Sequence, residues 1–208
     1  MRFLLLALTL ALATTYIFAA ERIELPVPQK SGGPDILAAL EKRESGSQSA
    51  FPLGGLDDQD LSTLLWAATG LNRGETKWTI PTGMGRPPYC KVYITDSRGV
   101  FRYDWRENAL IQVSGERINS SIPLQKFAKD APVNMYFVTD GPALSNEAFG
   151  EEWGVLLAGG MSQNVYLASQ ALNIGARLVY SINRELAQRH FDLSAGDKVL
   201  FGIVLGKY

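Results

Sequence analysis

Few side chains in this sequence could do chemistry, and they do not form a catalytic set. There is one cysteine, Cys90, and one histidine, His190, far apart in the chain. No Cys/His cluster has metal-ligand spacing, and a lone thiol cannot close a disulfide within the chain. Cys90 opens a β-type run and reads as a small half-buried hydrophobe. His190 falls at a predicted helix end, where a cation suits the dipole. Asn119-Ser120-Ser121 matches a glycosylation acceptor, a pattern common by chance. What remains is the run Gly159-Gly160-Met161-Ser162-Gln163-Asn164. Two adjacent glycines let another group come close to the backbone, and buried amides must find hydrogen-bond partners. Such a set cannot attack a substrate. It can present small and polar groups to a flat ligand, or it can cap neighbouring loops.

The run sits in the stretch 153–175, where Val155, Leu156, Leu157, Met161, Val165, Leu167, Ala168, Ala171 and Leu172 leave no broad polar stripe. That pattern predicts a helix buried on all sides, stopped by Asn173 and Gly175. Trp66 and Trp153 read as core, and a side chain at Gly160 is expected to overpack a close approach. Asp35 is placed to cap a helix over 36–42, with Ile36, Leu37 and Leu40 on one face. Asp58 is placed to cap a second helix, in which Leu61, Leu64, Leu65 and Ala68 recur at helical spacing. Runs 91–95 and 100–103 flank Asp96-Ser97-Arg98-Gly99, good hairpin chemistry. A brief strand over 109–113, a short helix over 124–129 and a buried strand over 133–139 come next. Residues 178–180 are ambiguous, Asn183 caps a helix to His190, and 198–205 closes the chain as an interior strand. Helices mixed with non-adjacent strands give an α+β fold with a mostly antiparallel sheet packed around the central helix.

With 208 residues the chain suits one domain, and its net charge of −1 gives no global attraction to nucleic acid. Residues 1–20 read as a signal peptide: Arg2, a leucine-rich core, then small residues before Glu21. Its apolar run also approaches spanning length, so an uncleaved membrane anchor is the alternative. The expected location is therefore exported, either periplasmic or secreted. Residues 21–34 are a proline-rich, extended surface lead-in, and 35–208 form the single domain.

DLSTLLWAATGLNR, VYITDSRGVFRYDWRENAL, APVNMYFVTD and MSQNVYLASQALNIG occur here in this order. In these runs the chain resembles the nitroreductase family, most of all its thiazoline-oxidase-like branch, over nearly all of residues 25–208. The resemblance implies an α+β nitroreductase-like fold and FMN as cofactor. It also implies a homodimer with flavin at the subunit interface, and a small planar organic substrate or acceptor. In such proteins the flavin carries the chemistry, so no protein side chain is expected to be catalytic.

The resemblance also fixes where the cofactor would sit. The family's Arg-Arg-Ser-x-Arg run, which grips the FMN phosphate, falls on Ser45, Gly46, Ser47, Gln48 and Ser49. All three arginine positions are lost and Ser47 keeps the serine; Lys42 and Arg43 lie nearby out of register. Pro81 and Thr82 match the family's Pro-Ser, while Trp78 stands where arginine is usual. Trp78 could stack on a ring or fill vacated space. Gly160, Gln163 and Asn164 match the family's central helix and Gly175 the segment after it, and Lys207 is placed to reach a phosphate. Two lost arginine contacts are worth about 3–6 kcal/mol, or roughly a hundred- to ten-thousand-fold in affinity. These residues are compatible with two functions. One is an FMN-dependent oxidoreductase with weakened cofactor binding. The other is a flavin-poor or flavin-free descendant acting as a binding or interaction protein.

Overall fold

The computed structural model describes residues 21–82, 86–145 and 150–208. The expected signal segment lies outside them.

Seven strands form one sheet. They are β1 (Arg22–Glu24), β2 (Cys90–Asp96), β3 (Gly99–Asp104), β4 (Ala109–Ser114), β5 (Val133–Thr139), β6 (Ile174–Val179) and β7 (Lys198–Lys207). The order across the sheet is β1-β4-β3-β2-β5-β7-β6, and every neighbouring pair is antiparallel. Strand alternation divides the core into two layers. Val92, Ile94, Met135, Phe137, Ile203 and Leu205 point to one side. Tyr93, Tyr136, Val138 and Val204 point to the other. The hairpin closes with Asp96 opposite Gly99, whose φ of +140° favours glycine.

The helices are α1 (Ile36–Lys42), α2 (Asp58–Thr69), the single turns α3 (Lys126–Lys129) and α4 (Gly141–Leu144), then α5 (Gly150–Leu172) and α6 (Arg184–His190). Asp35 and Asn183 cap α1 and α6 as expected. Asp57, not Asp58, caps α2: it accepts from the Asp60 N–H at 2.8 Å, and the Asp60 carboxylate accepts from the Asp57 N–H. The sequence DDQD offers two capping registers, and the reciprocal box selects the first.

The central helix departs from the expectation of burial on every side. Its inward face, Leu157, Ala158, Met161, Val165 and Tyr166, packs on α2 and the sheet. Each buried leucine or methionine there contributes about 1.5–3 kcal/mol. Trp153, Val155 and Leu156 are exposed, Leu156 by 64%. Trp153 is thus not core, and Trp66 is only partly buried. On α1 the buried residue is Ala39, while Ile36, Leu37 and Leu40 are exposed. Asn173 ends α5 at φ +55°. Gly175 lies beyond it on β6, which also takes in Leu178 and Val179 of the ambiguous stretch.

The lead-in is extended but packed. Its first residues pair with β4 as β1. Leu25 is buried, and the Gln29 N–H donates to Thr63 Oγ1 at 3.1 Å. Three residues are too short a signal for a strand in the sequence, and the pairing partner supplies the rest.

Candidate functional site

Midway along α5 the helix is open on its outer side. A Cβ at Gly159 would meet nothing within 4 Å, and one at Gly160 only Ile80 Cγ2 at 3.9 Å. The expectation that a side chain at Gly160 overpacks is therefore wrong for the single chain. Gln163, a turn further on, is exposed, as is Pro81, while Thr82 is half-buried. Asn164 is held by the scaffold: its Nδ2 donates to the carbonyls of Ala67 at 3.0 Å and Thr79 at 3.2 Å. That bond pair ties α5 to α2 and to the loop leading into Pro81. Trp78 fills space, only 6% exposed and edge-on to Trp105 at 5.3 Å. Its buried indole N–H has no hydrogen-bond partner among the described residues.

A second group of predicted residues lies past the other end of α5. Gly175 faces the Pro52 ring, and Gly206, its partner on β7, lies against the Pro52 carbonyl. The loop Ser45–Ser49 runs along this edge, with the Gly46 N–H donating to the Ala176 carbonyl at 2.9 Å. Ser45 Oγ shares a hydrogen bond with Tyr166 Oη at 3.3 Å, and Ser47 Oγ shares one with Ser49 Oγ at 3.1 Å. The Ser49 N–H also donates to Ser47 Oγ. These hydroxyls are turned toward each other and the scaffold. A cavity of about 260 Å³ opens here, and Glu44, Gly46, Gln170, Asn173, Gly175 and Tyr208 are among the residues lining it. Among the described residues, no lysine or arginine lines it.

Lys207 is committed elsewhere. Its Nζ donates to both Asp60 carboxylate oxygens, at 2.8 and 3.1 Å. The bond to Asp60 holds the ammonium above its ordinary range. Two further cations near the loop, Arg43 and Arg177, are engaged by the scaffold. Arg43 lies over the Tyr166 ring, while Arg177 donates to the Gly46 carbonyl at 2.8 Å and lies over Phe127. Tyr166 belongs to the layer under α5, and Phe127 packs in the opposite layer.

The predicted residues thus fall into two sets. Pro81, Thr82, Gly160, Gln163 and Asn164 lie around the middle of α5; Ser45, Gly46, Ser47, Ser49, Gly175 and Lys207 lie beyond its end. From Gly160 to Leu172 the helix runs about 18 Å. Sequence reasoning missed Tyr166, Glu44, Arg177 and the role of Asp60. Only Asp60 carried a signal, the second acid of a capping box. Cys90 takes no part: burial pushes its thiol up to about 12, so it stays protonated. Asn119 is bound inward through Nδ2 to the Ala131 carbonyl at 2.7 Å, which leaves that amide unsuited to carry a glycan. No group of three or more metal-ligating side chains occurs among the described residues.

Residues 51–207 match the nitroreductase family, and the chain belongs to it. It is similar to a candidate nitroreductase of Ralstonia eutropha JMP134, with 27% identity, 89% of each chain covered and a TM-score of 0.81. A candidate nitroreductase of Anabaena variabilis aligns over 90% of this chain and 42% of its own, at 16% identity and TM-score 0.71. A chain of the Escherichia coli microcin synthetase complex aligns over all of this chain and 85% of its own, at 16% identity and TM-score 0.67. No curated protein sequence matches.

A flavin ring and its phosphate make opposite demands on these residues. A flat ring needs an apolar face with few polar groups, and Gly159–Gly160 between exposed Leu156 and Gln163 supplies one. A phosphate needs fixed donors, best of all charged ones. At the loop end the hydroxyls are paired, Lys207 is bound to Asp60, and Glu44 lines the cavity. The residues fit the ring and do not fit the phosphate.

Proposed function

We propose that the chain is an exported, homodimeric, flavin-dependent oxidoreductase of the nitroreductase type that holds its flavin mainly by the ring. Within the family we place it in the thiazoline-oxidase-like branch, on LSTLLWAATG and SQNVYLA. The observation that carries the reading is the uncovered Gly159–Gly160 step in a chain matched to the family over 51–207. The outward row of Trp153, Val155 and Leu156, with Ile36, Leu37 and Leu40 on α1, gives a second copy apolar surface to cover.

The chemistry would be the flavin's, and this chain's own residues bind and orient it. Gly160 would admit the ring to the backbone and Gln163 would offer an amide to it, while Asn164 fixes the loop that carries Pro81 and Thr82. A small planar organic acceptor fits the same open face. The donor outside the cytoplasm is expected to be something other than a nicotinamide. The N-terminal segment is the basis for export; no helix of the described residues is long and apolar enough to cross a membrane.

The test is flavin retention. Purified protein incubated with excess flavin and desalted should elute as a yellow dimer by light scattering and absorbance. It should pass electrons from a chemical reductant to a quinone faster than free flavin does. A colourless monomer with no rate above free flavin would instead support the alternative, a flavin-free binding or interaction protein.

A further inference from the structure

A cavity of about 410 Å³ opens where β7 outruns its neighbour, within the size range of small-molecule sites. β6 ends at Val179, opposite Gly202, so residues 198–201 of β7 have no β6 partner on that side. The pairing with β5 also slips here. Phe201 faces Phe137 and Val199 faces Val138, which leaves Leu200 as the extra residue of a bulge. Regular alternation would send Leu200 and Phe201 to opposite faces. Both instead pack on the α5 layer, where they line the cavity with Val155 and the exposed ring of Tyr180.

Among the described residues three charged side chains also line it, Glu151, Lys198 and Arg184. Lys198 and Glu151 pair with each other, joining β7 to the first turn of α5. Arg184 is held differently. Its Nε donates to the Val199 carbonyl at 3.2 Å and its Nη2 to the Leu200 carbonyl at 2.7 Å. The guanidinium lies 4.9 Å from the centroid of the Tyr180 ring. Among the described residues no carboxylate meets Arg184, and its Nη1 has no bond. Carbonyls orient a guanidinium without neutralising it, and Nη1 keeps two N–H donors. Two cations against one carboxylate give the lining a net charge of +1.

We propose that this cavity binds a small aromatic monocarboxylate, with its ring among Val155, Tyr180 and Phe201 and its carboxylate on Arg184. One negative charge balances the lining, and a flat ring matches the walls. A guanidinium already fixed by carbonyls loses little freedom when it takes the anion. Residues four apart share a helix face, so Val155 stands next to Gly159 at the open step of α5. The cavity thus borders the face proposed for the flavin ring, but an anion can bind it whether or not flavin is held there.

The experiment is calorimetric titration of the full-length purified protein, without added flavin, with 2-naphthoate and with its neutral amide, 2-naphthamide. Naphthoate should bind about ten- to a hundredfold more tightly than the amide. Val155→Asp, at an exposed wall position, should weaken naphthoate by about threefold or more and leave the amide unchanged. Tyr180→Ala should weaken both by about two- to tenfold. Arg184→Gln should abolish the preference for the acid; since it also releases two carbonyls, the two wall variants locate the site if it fails to fold. Equal affinity for acid and amide, no binding of naphthoate, or naphthoate affinity untouched by both wall variants would each overturn the inference. No flavin enters these titrations, so each outcome leaves the flavin reading as it stands.

Discussion

The two ends of the long helix carry the same family relationship and treat it differently. Around Gly160 the backbone stays bare, and Asn164 still ties α5 to the loop before Pro81. Around Gly46, by contrast, the positions that the family resemblance assigns to a phosphate grip are serine or glycine, and Lys207 is paired with Asp60. The first region is held by packing and by backbone geometry, which tolerate little change in a dense core. The second is an exposed loop, where substitution hardly disturbs the fold. Scaffold and exposed loop are therefore free to vary separately.

The most direct way to break this contrast is to restore the grip. Ser45→Arg with Ser49→Arg should tighten FMN by about a hundred- to ten-thousand-fold. Riboflavin should change little, and fluorescence quenching reads both. An unchanged FMN affinity would mean that the loop is not where the phosphate falls.

The glycines sharpen the contrast in stability terms. A Cβ at Gly206 would land within the Pro52 carbonyl, so Gly206→Ala should cost about 3 kcal/mol in urea denaturation. Smaller is the expected loss for Asn164→Leu, about 1–3 kcal/mol, because the carbonyls of Ala67 and Thr79 lose their donor. Thermal melts of the flavin-free protein would show it.

The smallest effect should have the opposite sign. Gly160→Ala places a methyl group in open space in mid-helix and should stabilise the flavin-free monomer by about 0.5–1 kcal/mol. The same change should weaken dimerisation and flavin retention, measured by light scattering and desalting. A variant more stable and equally yellow would show that nothing approaches the helix at this step.

Much of the fold was legible because it is written in local pattern. The hairpin at Asp96–Gly99, the caps Asp35 and Asn183 and the stop at Asn173 each depend on a few adjacent residues. The outward row of α5 was not legible. Trp153, Val155 and Leu156 look like core because apolar type does not say whether a partner is present in the same chain. Strand β1 was missed for a related reason, since Arg22–Glu24 has no β signal until β4 lies beside it.

At the site the division falls along the same line. The sequence by itself determined the family, because residue identity at a motif position is a local fact. Only the tertiary structure decided that Lys207 meets Asp60, that Arg43 lies over Tyr166 while Arg177 meets the Gly46 carbonyl, and that Glu44 lines the cavity at the loop. Those are distances between residues remote in the chain. Charge acts through space, so whether a lysine serves a ligand or an aspartate is settled by what the fold sets beside it.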